Sequence, residues 1–324
     1  MPGFVTHYFF GLSCYRHIPS EELKHAIRSN RTAYLLGLQG PDIFFYHLPL
    51  LRHHNHKNIG SYLHGHRTRE FFSSAIGQIG SYHTLEERET ALAYLCGFLC
   101  HYALDSRCHP YVYARAGYRA GSGENASIAG HADLEMVIDA KILDHYKHIP
   151  LSRFNVKKTF QFAPRELLTV TTFLSRSLYD TLKDLFGKSR YFVTPAFIRY
   201  ILTESRLIIA LLTDPKAKRK RLVRGVERFV LPYPLLSSKF ITDVEIPIRD
   251  PLNLSHTAWS NPWDTGQVSC ASFTDEYRKA MLFVHKLFTA IPYAHILNRT
   301  LTEKEKEQFL DLVGNLSYHS GLSV

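Results

Sequence analysis

No segment of the 324 residues runs for the roughly 18 uncharged apolar positions that a helix needs to cross a bilayer. The greasiest stretches, such as Leu207 to Leu212, stop far short of that length. A helical membrane span is therefore not expected. The opening Met-Pro-Gly-Phe-Val-Thr-His-Tyr lacks a basic segment followed by an apolar one, so it does not read as a secretory signal. Cysteine is scarce and odd in number, and Cys14, Cys96, Cys100, Cys108 and Cys270 follow no disulfide-framework spacing. These features together suit a soluble, non-exported, cytoplasmic protein. Internal repeats and low-complexity linkers are missing as well. Strand-like alternation is confined to one short run, Phe240 to Ile248, bounded by prolines.

What remains is helical periodicity. An all-α fold, a multi-helix bundle forming one helical domain over 1–324, is expected. Ser20 with Glu21 and Glu22 opens one helix, and a Thr84/Glu87 capping box opens a long one reaching about Ser106, with Pro110 just beyond. A Gly/Ser-rich loop, Gly117 to Gly130, precedes a helix from His131 to Tyr146. Further helices are predicted over Pro164 to Phe186, Pro195 to Leu212, Ser272 to Ala290 and Thr302 to Val313. Leu231 to Trp263 reads as an irregular, proline-containing stretch.

Charge and histidine are the two excesses. A net charge of +10 favours polyanions, whether phosphate backbones or anionic lipid surfaces. Part of it lies in Lys216 to Arg224, read as a solvated turn after a helix, with a membrane or nucleic-acid patch as the rival reading. Of 19 histidines, 13 fall within the first 131 residues, so 1–148 is the half suited to metal chemistry and 149–324 the remaining helical half.

Within the long helix, His101 and Asp105 stand at i and i+4, which puts their side chains about 5–6 Å apart on one face. His109 follows four residues later. The next helix repeats the device with His131 and Glu135. Paired nitrogen and oxygen ligands on facing helices are one way to build a metal site in a bundle core, and imidazole with carboxylate favours zinc. A single His/Asp pair is more often a surface or capping interaction, but two pairs plus His109 outweigh that reading. His101 lies among apolar neighbours, so its polar atoms need a buried partner. Cys96, Cys100 and Cys108 interleave with these histidines, yet Cys100 points about 100° away from His101 around the helix. They read as small packing residues.

The run His101-Tyr-Ala-Leu-Asp105-Ser-Arg-Cys-His109-Pro, a glycine-rich loop, and then His131-Ala-Asp-Leu-Glu135 resembles the zinc-dependent phospholipase C family. Upstream, Thr6-His7 is similar to that family's first histidine ligand and Gly-Pro-Asp42 to its Pro-Asp element. His64, ahead of Arg67-Thr68 and Phe71-Phe72, fits another ligand position better than His66. The resemblance covers roughly residues 1 to 148. It implies Asp42, His64, His101 and Asp105 around one zinc ion, and His109, His131 and Glu135 around a second. A third ion would draw on His7 and Asp105, and exported members complete that site with an N-terminal tryptophan that is not seen here.

The implied activity is phosphodiester hydrolysis by zinc-bound hydroxide on a phospholipid head group or a related diester, with Asp42 as catalytic residue orienting or deprotonating the water. Two other readings stand beside it: a single-strand nuclease with a related trizinc site, which would bind nucleic acid, and a non-catalytic zinc-stabilised helical binding protein. His47, His53, His54 and His56 read as decoration of a solvated loop, and Trp259 and Trp263 as anchors pinning an irregular segment.

Overall fold

The computed structural model describes residues 3–46, 59–120, 128–188, 193–231, 234 and 236–324, with only the backbone at 128–129 and 157–158. In chain order the helices are α1 (Phe4–Arg16), α2 (Glu21–Ser29), α3 (Arg31–Gly37), α4 (Ile59–Gly65), α5 (Thr68–Gln78), α6 (Leu85–Arg115) and α7 (Ile128–Lys147). They continue as α8 (Pro164–Thr181), α9 (Lys183–Phe186), α10 (Pro195–Leu212) and α11 (Lys218–Val230). After a hairpin of β1 (Trp259–Asn261) and β2 (Asp264–Ser269) come α12 (Phe273–Ala290), α13 (Tyr293–Asn298) and α14 (Glu303–Val313). The fold is all-α, a set of helices with one small hairpin. His47, His53, His54 and His56 lie outside the described residues, as do residues 121–127 of the Gly/Ser-rich loop.

The architecture follows from α6. Thr84 accepts from the Glu87 amide while Glu87 accepts from the Thr84 amide, so both orphan donors at the helix start are satisfied. From Thr90 to Ser106 every residue is buried, so this segment is enclosed on all sides and serves as the central post of the core. Helices α1, α2, α3, α8 and α12 pack around it. The tightest crossing is with α3. A Cβ on Gly37 would stand 2.2 Å from the Tyr94 carbonyl, and one on Gly97 would stand 2.2 Å from the Tyr34 carbonyl, so only glycine at both positions permits this approach.

Several expectations are corrected here. Helix α6 runs to Arg115 with Pro110 inside it, rather than ending near Ser106. Tertiary packing overrides the proline: Tyr111 and Val112 are buried, and the Tyr111 hydroxyl donates to the Pro251 carbonyl at 2.8 Å. The Phe240 to Ile248 run forms no strand beyond an isolated bridge from Ile241 to Thr213. Strands appear instead around Pro262, pairing Trp259 with Ser269 and Ser260 with Val268. Their exposed residues include Thr265, Gln267 and Val268, too polar a mix to show alternation. The basic run Lys216 to Arg224 is mostly helix α11, not a turn. Pro164 to Phe186 divides at Leu182 into α8 and α9.

Candidate metal centre

Five elements bring the cluster together. Helix α6 carries His101, Asp105 and His109 on one face, α7 carries His131 and Glu135, α1 carries His7, and α4 carries His64. Asp42 comes from the short 3-10 helix Gly40–Tyr46 that follows α3. Gly40 makes this placement possible. Its φ is +47°, and a Cβ there would stand 2.3 Å from the His101 ring.

Helix α1 is held at its start by Asp139 of α7. Its carboxylate accepts from the amides of Gly3 (2.8 Å), Val5 (3.2 Å) and Thr6 (2.9 Å), and from the Thr6 hydroxyl (2.5 Å). A carboxylate at a helix N-terminus satisfies orphan donors and meets the positive end of the helix dipole. The clasp fixes His7 one turn later. His7 Nε2 lies 3.1 Å from Asp105 Oδ1, and its ring stacks on that of His101 at 4.2 Å between centroids.

Asp105 is the hub. Its Oδ2 is 2.9 Å from His101 Nε2 and 3.5 Å from His64 Nε2, and its Oδ1 is 3.7 Å from His109 Nε2. Asp42 Oδ1 lies 3.1 Å from His64 Nε2, while Glu135 Oε1 lies 3.0 Å from His131 Nε2 and 3.2 Å from His109 Nε2. Ligand atoms of Asp42, His64, His101 and Asp105 all fall within 4.8 Å of one another, as do those of His109, His131 and Glu135. Each group could hold a metal ion. His66, by contrast, is exposed and turned back toward the Tyr62 carbonyl.

The chemistry of the donors fits zinc. Nδ1 of His64 faces the Gly60 carbonyl at 2.7 Å, that of His101 the Leu38 carbonyl at 3.1 Å, and that of His109 the Tyr318 carbonyl at 2.9 Å. A carbonyl can only accept, so Nδ1 carries the proton in each ring and Nε2 presents its lone pair to the cluster. His101 Nε2 and Asp105 Oδ2 are buried and make no hydrogen bond among the described residues. Two unsatisfied acceptors side by side are costly unless a cation lies between them. A cavity of about 20 Å³, lined by His7, Asp105, His109 and Glu135, has room for a water-sized or ion-sized occupant.

The carboxylates favour a proton on two of the histidines. Burial opposes charge on His64, but Asp105 and Asp42 outweigh it and raise its pKa to about 10. Burial likewise opposes charge on His109, and Asp105 with Glu135 raises it to about 9. Burial pushes the Asp105 carboxyl up, yet His101, His109 and His7 hold it well below the usual range, and His131 and His109 do the same for Glu135. The thiols of Cys96 and Cys108 are pushed well up by burial, which makes them poor thiolate ligands.

Sequence reasoning missed the neighbours supplied by the distal part of the chain. The His319 ring stacks on His64 at 5.1 Å, and burial beside His64, His109 and His131 pushes its pKa well down. Lys239 is half-buried near Glu135 and Asp42, its pKa lowered by burial. Neither residue sits at a motif spacing, so no local signal marked it. Trp259 donates its Nε1–H to the Ala271 carbonyl at 2.9 Å and packs edge-on against Tyr111 of α6 at 5.5 Å. Trp263 packs edge-on against Tyr113 at 4.9 Å, and Tyr113 lies 4.3 Å from the His131 ring.

Comparison with known proteins agrees with this geometry. No curated protein and no solved structure matches the chain. The family model described as zinc dependent phospholipase C matches residues 6–190, more than half of the chain and further than the motifs alone reached. By its sequence over those residues and its helical fold, the chain belongs to the zinc-dependent phospholipase C family.

Proposed function

We propose that the protein is a zinc-dependent phosphodiester hydrolase acting on a phospholipid head group or a closely related diester. The observation that carries this reading is the convergence of Nε2 lone pairs, fixed by backbone carbonyls, on Asp105 and Glu135. Asp42, His64, His101 and Asp105 would hold one ion, and His109, His131 and Glu135 a second. His7 and Asp105 are the side chains available to a third. Bound zinc ions supply a lowered water pKa and neutralise charge on the phosphoryl group.

The chain's own residues do the rest. Burial disfavours charge on Asp42, but His101 and His64 outweigh it and hold its carboxyl below the usual range, so it is ionised and able to orient a water or accept its proton. Lys239 and His319 offer nitrogen groups beside the cluster for contact with phosphoryl or leaving oxygens. Among the described residues no helix is long and apolar enough to cross a membrane, so a lipid substrate would be met at a surface. All five cysteines are free thiols, in keeping with action in the reducing cytoplasm.

The test is hydrolysis of phosphatidylcholine and of a soluble chromogenic phosphodiester by the zinc-loaded protein. Activity lost on chelation and in Asp42→Asn supports the proposal. If chelation only lowers the melting temperature and no diester is cleaved by the loaded protein, zinc is structural and the hydrolase reading fails. A nuclease is the second reading, because Tyr113, Tyr118 and Trp263 form an aromatic group next to His131 on which a base could stack. Cleavage of single-stranded DNA, lost in Trp263→Ala, would favour it over the lipid substrate.

A further inference from the structure

Helix α11 is built inside out. Of its 13 residues, the two that are buried are both charged, Lys220 and Glu227. The apolar residues face solvent: Leu222 is 71% exposed, Val226 59%, Phe229 91% and Val230 69%. They recur at i, i+4, i+7 and i+8, so they form one continuous stripe on the side away from the protein. Lys218, Arg221 and Arg228, all exposed, border it.

The buried charges explain why the helix holds this orientation. Lys220 Nζ binds Asp133 Oδ1 of α7 at 3.1 Å, and the Lys220 amide donates to Asp214 at 2.9 Å. The Glu227 carboxylate accepts from the amides of Leu236 and Ser237, the latter at 3.1 Å. Lys220 is paired with a carboxylate and Glu227 is hydrogen-bonded to amides, and rotating the helix to bury its apolar stripe would break both anchors. One anchor ties α11 to the helix that carries His131 and Glu135, and the other to the segment that leads into Lys239.

We propose that α11 is an interfacial helix that seats the protein on an anionic lipid bilayer, its apolar stripe entering the head-group boundary and its basic border meeting lipid phosphates. A helix with a large apolar face and a basic rim has the make-up of such elements. A nucleic acid would meet the basic border but give Leu222, Val226 and Phe229 no apolar surface, so charge and stripe together select lipid. The inference deepens the phospholipid reading and rests on it only in that a lipid hydrolase must reach its substrate at a surface.

The test uses the zinc-loaded full chain and sedimentation with large unilamellar vesicles, either pure phosphatidylcholine or phosphatidylcholine mixed with phosphatidylserine. Binding should favour the anionic vesicles, fall with added salt, and drop at least about tenfold in a Leu222→Ser/Phe229→Ser variant. Its hydrolysis of a soluble diester and its melting temperature should match the parent. Vesicle binding that is absent in the parent, or unchanged in the variant, overturns the proposal. So does a parent that runs as a dimer which the variant dissociates, since a second copy would then cover the stripe, or single-stranded DNA bound more tightly than the vesicles. Lysine and arginine changes test the border independently: Lys218→Glu/Arg228→Glu should abolish the preference for anionic vesicles. If vesicles bind through α11 but no diester is cleaved, the docking surface stands and the hydrolase reading falls. Cleavage of a soluble diester with no vesicle binding gives the reverse.

Discussion

His101 Nε2 and Asp105 Oδ2 stand 2.9 Å apart, both fully buried, and neither makes a hydrogen bond among the described residues. One helical turn of α6 sets their separation, and the Leu38 carbonyl sets the tautomer that aims the nitrogen lone pair at the carboxylate.

The first prediction concerns Asp105. It touches His7, His64, His101 and His109, so Asp105→Asn removes the shared negative charge from every one of them. Zinc affinity should fall by more than the about 10–100-fold that loss of an outer hydrogen-bond partner costs. Competition with a chelating dye measures it, and a variant that keeps parental affinity would show that Asp105 is not a ligand.

Gly40→Ala should be disproportionately damaging for so small a change. The new methyl meets the His101 ring, and the backbone is held at φ +47°. A stability loss of about 1–3 kcal/mol is expected from the strained backbone alone. Thermal melts of the metal-free and zinc-loaded forms should show a larger loss for the loaded form, because the ring that must move is a proposed ligand.

Asp139 sits apart from the cluster and acts on it through α1. Asp139→Ala removes the acceptor for Gly3, Val5 and Thr6, at a cost of at least the about 0.5–2 kcal/mol typical of a lost helix cap. With the helix start released, His7 loses its registration against Asp105. Diester hydrolysis should fall while binding of the first two zinc ions persists, as read by metal content alongside rate. Loss of all bound zinc would place the clasp's effect on the whole cluster instead.

The fourth prediction is a pH dependence. His64 at about 10 and His109 at about 9 lie above the ordinary histidine value of 6.5, so the metal-free folded state binds these protons more tightly than the unfolded chain. Their stabilising contribution is complete below about pH 6.5 and is lost as pH rises through 9 to 10. Zinc held as proposed would compete for the same nitrogens, so its binding should release protons and strengthen over that range. Melting temperatures of the metal-free protein should therefore fall between pH 6.5 and 10, and those of the zinc-loaded protein should not follow. A metal-free protein that gains stability through this window would contradict the assignment.

The helical class was legible because period and caps are local: Thr84 with Glu87 and Thr302 with Glu305 form the capping boxes their spacing implies. The same locality made His101, Asp105, His131 and Glu135 readable, since i and i+4 place two side chains on one face whatever surrounds the helix. His319 and Lys239 were not readable. They reach the cluster through the path of the distal chain, and a lone histidine or lysine carries no spacing. Helix α11 was missed for a different reason. Its basic residues suggest a solvated segment, and nothing in a charge run tells that Lys220 and Glu227 face inward while Phe229 faces out. Pro110 misled because a proline's local cost was outweighed by burial of Tyr111 and Val112 beyond it.

The central claim is that this cluster is a multinuclear zinc site, and elemental analysis of the purified protein tests it most directly. Two or three zinc ions per chain are expected, falling by at least one in His101→Ala and in Glu135→Gln. A parent chain that carries no zinc after purification under zinc-replete conditions would contradict the account.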